Sequence, residues 1–255
     1  MKQLRSKLMT FALILVLTLT FCVPALAADK AALQAYAPES AAYMLKTVEN
    51  PQVSSVGGEW AVLGLARSGY DVPLAYYQDY YATVEAYVDA CKGVLHERKY
   101  TEYSRVAVAL TAIGKDPTNV AGYNLLTPLG DFDKTIWQGL NGPIWALIAL
   151  DSGNYAIPEN PDAVTQATRQ MYIDEILSCQ LADGGWSLTG EGGGTTPADP
   201  DITGMALQAL SKYQDQEAVK KATDEALDCM SRQQDQDGGF SSWGVLCSPK
   251  GKRLE

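Results

Sequence analysis

Four short apolar stretches of this chain are versions of one another, and they restrict it to a stack of helices. They read Trp60-Ala-Val-Leu-Gly-Leu65, Val108-Ala-Leu-Thr-Ala-Ile113, Trp145-Ala-Leu-Ile-Ala-Leu150 and Met205-Ala-Leu-Gln-Ala-Leu210, with starts 48, 37 and 60 residues apart. A second element, Gln180-Leu-Ala-Asp183-Gly184-Gly185-Trp186, returns 54 residues later as Gln234-Asp-Gln-Asp237-Gly238-Gly239-Phe240. Recurrence at such periods marks helical units that cannot bury their faces alone and must stack.

Each hexad carries a small residue at its second and fifth positions: Ala61 and Gly64, Ala109 and Ala112, Ala146 and Ala149, Ala206 and Ala209. Positions three apart share a helix face, so these residues form a stripe that lets a neighbouring backbone come close. The other faces carry Trp, Leu, Ile, Val and Met. Helices apolar nearly all round are buried helices. Between them lie longer amphipathic stretches, such as 162–180 and 216–234. An inner set of buried helices alternating with an outer, half-exposed set is the expected arrangement.

The Gln-x-x-Asp-Gly-Gly-Trp element resembles the repeat of the squalene cyclase and protein prenyltransferase superfamily. The likeness covers roughly residues 39–244 and is closest to secreted bacterial single-toroid prenyltransferase/squalene oxidase repeat proteins. It implies an all-α fold, the α/α toroid of inner and outer helix rings. It also implies structural roles for Gln180, Asp183, Gly184, Gly185, Trp186, Gln234, Asp237, Gly238, Gly239 and Phe240. In that family the Gln and the aromatic ring tie neighbouring repeats together, and the Gly-Gly pair supplies positive φ in a turn. Cobalamin carriers share the toroid more remotely, but they also use a β-domain that this sequence lacks. Asp199-Pro-Asp201-Ile-Thr203 resembles the Asp-rich start of an inner helix in squalene–hopene-type cyclases. That likeness would make Asp201 a proton donor and Asp199 its helper. The pattern's next Asp is Ile202 here.

Residues 1–27 read as a secretory signal peptide. Lys2, Arg5 and Lys7 precede an apolar run at 8–20, and Ala25-Leu26-Ala27 is a small-residue cleavage site. The apolar run is too short for a spanning anchor. Cleavage would deepen the net charge from −10 to −13, since three cations and no acid leave. Nucleic acid and anionic lipid surfaces are therefore not expected partners. The expected location is extracellular or cell-surface, with no membrane span after cleavage. Cys91, Cys179, Cys229 and Cys247 fit no metal-binding spacing. Free buried thiols or a Cys229–Cys247 bridge both remain open. The lone His96 excludes a multi-histidine metal centre, and a Ser-His-Asp triad would have to use it although no suitable motif stands beside it. No cofactor and no metal are expected.

Helices are expected near 39–49, 58–68, 73–94, 102–113, 116–126, 142–151, 162–180, 201–210 and 216–233, with a turn or more at 134–139. The Gly-rich stretch 188–200 is expected to be the most mobile internal segment. The sequence reads as one toroid domain at 28–244 with an irregular tail at 245–255. After residue 244 the repeat pattern calls for another inner helix, so the chain is expected to end inside its toroid.

Two candidate sites follow. Asp201 with Asp199 would supply acid chemistry; the competing account is that Asp201 caps its helix. The inner-helix N-termini would gather Glu59, Trp60, Tyr103, Arg105, Trp137, Gln138, Asn141, Trp145, Asp201 and Thr203 at one mouth, an aromatic and polar cup for a ligand. The expected role is non-catalytic: binding a small ligand or a cell-surface component there. A cyclase-like enzyme and a purely structural surface module are the alternatives. Tyr76, Tyr77, Tyr80, Tyr81 and Tyr87 are expected to be a packed helix face rather than a carbohydrate platform.

Overall fold

The computed structural model describes residues 30–189, 197–236, 238–242 and 245–247. The expected signal peptide, Asp237, the centre of the Gly-rich stretch and the last eight residues lie outside the described residues. Among the described residues there are nine α-helices: α1 Lys30–Thr47, α2 Val56–Arg67, α3 Leu74–Ala90, α4 Thr101–Ala112, α5 Phe132–Ile136, α6 Asn141–Ser152, α7 Arg169–Ser178, α8 Pro200–Leu210 and α9 Glu217–Gln233. The protein is helical, as expected. A short antiparallel hairpin of β1 (Phe240–Ser242) and β2 (Val245–Cys247) follows α9, so part of the expected irregular tail is paired.

The four hexads lie in α2, α4, α6 and α8, and these helices pack in sequence: α2 on α4, α4 on α6, α6 on α8. A second row leans on them, with α1 against α2, α7 against α6 and α9 against both α8 and α7. The hexad's second residue explains the close packing. Ala61, Ala109, Ala146 and Ala206 are all buried, where a longer side chain would push the neighbouring helix away. At the fifth position of the first hexad, a Cβ on Gly64 would sit 3.4 Å from the Met44 thioether of α1. On α3, Tyr76, Tyr80, Val84 and Val88 form one buried stripe at i, i+4, i+8 and i+12. Tyr77, Tyr81 and Tyr87 pack against the core beside it, so the tyrosine cluster is a packed helix face.

Three hydrogen bonds recur in the two Asp-Gly-Gly elements. Gln180 Nε2 donates to Gly184 O at 2.7 Å, and Gln234 Nε2 to Gly238 O at 3.0 Å. Leu181 N donates to Gly185 O and Gly184 N to Leu181 O; Asp235 N to Gly239 O and Gly238 N to Asp235 O repeat the pattern. Gly184 and Gly238 hold φ of 95° and 84°, which glycine adopts without steric cost. The first copy also bridges elements. Gln180 Nε2 donates to Ala222 O of α9, Trp186 Nε1 to Ile176 O of α7, and Trp186 N to Thr203 Oγ1 of α8. Trp186 is fully buried.

Two expected helices are corrected. Of the stretch 162–180, only Arg169–Ser178 is α-helical. Before it, Phe132 N donates to Thr165 O and Asp131 bridges Gln166, which holds that strand of chain extended across the start of α5. Thr168, in extended backbone, then caps α7 through Met171 N. The stretch 116–126 is a turn. Asp116 Oδ1 accepts from both the backbone and the hydroxyl of Thr118, a local closure that competes with helix. Ala121 and Gly122 at positive φ then close a Val120–Tyr123 bridge.

Candidate functional site

The buried helices share a direction, and two cavities lie at their two ends. The smaller, about 140 Å³, is bordered by Trp60, Thr101, Arg105, Asn141 and Trp145, at the N-terminal turns of α2, α4 and α6. The larger, about 500 Å³, lies where the C-terminal turns of α2, α4, α6 and α8 meet. Its wall includes Leu63, Thr111, Ile148 and Gln208, the fourth residue of each hexad. One repeated sequence position thus faces one shared space. On α4, Thr101, Arg105, Val108 and Ala112 run from one cavity to the other; on α6, Asn141, Trp145, Ile148 and Ser152 do so in the same i, i+4, i+7, i+11 steps. Trp145 borders both cavities and packs against Trp60, ring centroids 4.9 Å apart.

The expected N-terminal cup is only partly assembled. Trp60, Arg105, Asn141 and Trp145 meet there, and Asn141 Oδ1 is a buried acceptor without a hydrogen bond. Tyr103 is not in the cup: it is buried, and its hydroxyl donates to His96 O. Trp137 is 56% exposed and stacks under the Arg98 guanidinium, 4.0 Å from the ring centroid. Gln138 accepts from the backbone and hydroxyl of Thr101, tying the start of α4 to the segment before α6. Thr203 is buried and exchanges hydrogen bonds with the Trp186 backbone. Tyr103, Gln138 and Thr203 fix the framework because their polar atoms find nearby backbone or hydroxyl partners before they reach the cup, and Trp137 is turned out against Arg98.

Arg105 is held as well. Its Nε donates to Glu59 Oε2 at 3.0 Å and its Nη2 to Glu102 Oε2 at 2.6 Å. Glu59 is fully buried and also accepts from Ser54 N at 2.7 Å and Tyr80 OH at 3.2 Å. Burial raises the Glu59 carboxyl above its usual range, against the opposing pull of Arg105. The cluster joins α2, α3 and α4 and is a structural tie.

The acid candidates separate. Asp199, not Asp201, caps α8: its Oδ1 accepts from Asp201 N at 2.8 Å and Ile202 N at 3.1 Å. Asp201 is exposed in the first turn and borders neither cavity. The cap falls at Asp199 because Pro200, with no N–H to satisfy, suits the first helical position. Asp199→Ala is expected to cost about 0.5–2 kcal/mol in a urea titration, and Asp201→Ala no more than about 0.5. A larger loss at Asp201 would return the cap to that residue.

The larger cavity was the missed feature. Its floor is Leu63, Val108, Ala112, Trp145, Ile148 and Ala209, and its rim is polar. Asp151 on that rim accepts from Arg169 Nε at 3.0 Å and Tyr213 OH at 2.7 Å. The Lys212 ammonium bonds Asp151 O and, at 3.0 Å, Asn154 Oδ1. Arg67 has neither a hydrogen bond nor an ion pair among the described residues. A signal for this rim was present: Arg67 and Lys212 each stand four residues beyond a hexad's fourth position. Lys115 occupies the same place after the second hexad, but its ammonium lies over the Tyr81 ring, 4.3 Å from the centroid.

Among the described residues no group of three or more His, Cys, Asp or Glu could hold a metal ion, and no helix is long and apolar enough to cross a membrane. Cys91, Cys179 and Cys229 are free thiols, so Cys229 is not bridged to Cys247. His96 Nδ1 accepts from Arg98 N and Lys99 N, which makes it a turn residue. Comparison with protein families, with curated proteins and with solved structures finds no match.

Proposed function

We propose that the chain is an exported α/α toroid module that binds a small ligand on its concave inner face and performs no reaction on it. The observation that carries this reading is the convergence of all four hexads on one cavity of about 500 Å³, within the usual size range of small-molecule sites. The matched Asp-Gly-Gly turns and the two rows of helices support the toroid. Export rests on the N-terminal sequence. The acids that chemistry would need are placed elsewhere or engaged: Asp201 is exposed and borders neither cavity, Asp199 caps a helix, Glu59 is paired with Arg105, and Asp151 with Arg169 and Tyr213.

Binding is tested with a neutral apolar fluorophore, N-phenyl-1-naphthylamine. Ala112→Trp places a large ring in the cavity from a half-buried wall position. The wild type is expected to bind the probe and the variant to lose at least about tenfold in affinity. Equal binding, with both proteins folded by circular dichroism, would move the site elsewhere. For export, the secreted protein is expected to begin at Ala28 by mass spectrometry. An uncleaved N-terminus on membrane-held material would end that part of the proposal.

A further inference from the structure

The rim of the larger cavity carries two cations, Arg67 and Lys212, beside a single acid, Asp151. Three hydroxyls face it, and each turns its proton back to its own helix: Thr111 to Ala107 O, Ser152 to Ala149 O, Ser211 to Gln208 O. Both Asp151 carboxylate oxygens are engaged. The donors that remain among the described residues are the whole Arg67 guanidinium, the Gln208 amide N–H groups and one N–H of Lys212, while the hydroxyl oxygens and the Gln208 carbonyl are left as neutral acceptors. The side-chain charges do not cancel: Asp151 is matched by Arg169, and among the described residues no acid lies within ion-pair distance of Arg67 or Lys212. In a chain of net charge −10, two such cations over one apolar floor are a local reversal of sign.

The helix ends limit how much negative charge the cavity can take. Four C-terminal turns meet here, and each carries partial negative charge on its last carbonyls. Lys212 answers one of them, at Asp151 O. Arg67 lies in the last turn of α2 without bonding a carbonyl. The remaining capacity suits one negative charge, and a guanidinium fork matches the two oxygens of a carboxylate. A diphosphate carries more charge and is ordinarily held with a metal ion, for which no cluster of ligands is present among the described residues.

We propose that this cavity takes a monocarboxylate on an apolar chain, the chemistry of a fatty acid. The carboxylate lies on Arg67, and the chain lies over Leu63, Val108, Trp145 and Ile148. The inference rests on the ligand-binding reading and adds the class of ligand.

Isothermal titration with decanoate and dodecanoate, kept below their micelle concentrations, tests it. Two further methylenes on an apolar floor should tighten binding about fifteenfold. Arg67 is exposed, so Arg67→Gln should fold normally, which a thermal melt checks. That variant should bind dodecanoate at least about tenfold more weakly while dodecanol binding changes less than about twofold. Arg67→Lys should recover part of the loss. Dodecyl phosphate should bind no tighter than dodecanoate, and dodecyltrimethylammonium much more weakly. The proposal is overturned if Arg67→Gln leaves dodecanoate binding unchanged, if the cationic chain binds as well, or if the phosphate is preferred. Capture on phosphatidylglycerol vesicles without binding of monomeric dodecanoate would also overturn it, by assigning the cations to a membrane surface. Retained binding of the neutral fluorophore with no preference for the carboxylate would sink the ligand class and leave the cavity's binding role intact. Loss of both would sink the two together.

Discussion

Trp186→Ala is expected to destabilise the fold by about 3–5 kcal/mol, a large part of the 5–15 kcal/mol that holds a domain together. The indole is the largest fully buried side chain described. Removing it opens a cavity between α7 and α8 and strips Ile176 O of its 2.7 Å donor, leaving that carbonyl only the 3.3 Å bond from Cys179 N, so a packing loss and a lost buried hydrogen bond add. Urea unfolding followed by far-ultraviolet circular dichroism measures it, with Trp137→Ala as the control. Trp137 is 56% exposed and its ring lies under the Arg98 guanidinium, so its loss should cost about 0.5–1 kcal/mol. A Trp186→Ala loss below about 1 kcal/mol would show that the Asp-Gly-Gly turn does not anchor the helices on either side of it.

Arg105→Met should cost about 3–5 kcal/mol at neutral pH, because it leaves Glu59 buried without its counter-charge. The pH dependence separates this from lost packing. Burial already raises the Glu59 carboxyl above 4.5, and removing Arg105 raises it further. A carboxyl raised in the folded state favours folding while it is protonated. That contribution is fully present below pH 4.5 and is lost as pH rises through the higher folded value. The variant should therefore lie closest to wild type near pH 4 and fall away toward pH 7. Glu59→Gln should largely rescue it at pH 7, since an amide carries no charge to desolvate. A loss independent of pH and untouched by Glu59→Gln would mean that Arg105 acts through its packing alone. If Arg105 were instead a free ligand-binding group, its removal would hardly change stability.

Much of the helix inventory was legible because hydrophobic period and punctuation agreed. The buried helix expected at 102–113 is Thr101–Ala112, Gly142-Pro143 lies in the first turn of Asn141–Ser152, and the last long helix at 216–233 is Glu217–Gln233. The failures came where side chains close locally or pair at a distance. Asp116 and Thr118 favour a turn over the helix that Pro117 seemed to start. The extended run before Thr168 is fixed by residues more than thirty positions earlier, at Asp131 and Phe132. Such pairing leaves no periodic trace in its own window.

The site shows the same division. The repeat announced that four helices are equivalent, and so that any shared face would be built from equivalent positions. The sequence by itself determined the buried helices, their small-residue contacts and the two glycine turns, because each is a local pattern of shape and φ. Which end of those helices opens into usable space was a tertiary decision. At the N-terminal end, Arg105 is drawn between Glu59 and Glu102, 46 and 3 residues away, and little room remains. At the C-terminal end, Asp151 is taken by Arg169 and Tyr213, which leaves Arg67 and Lys212 without an acid among the described residues, across an open apolar floor. Charge pairing across helices depends on which side chains meet, and that is set only when the helices have packed.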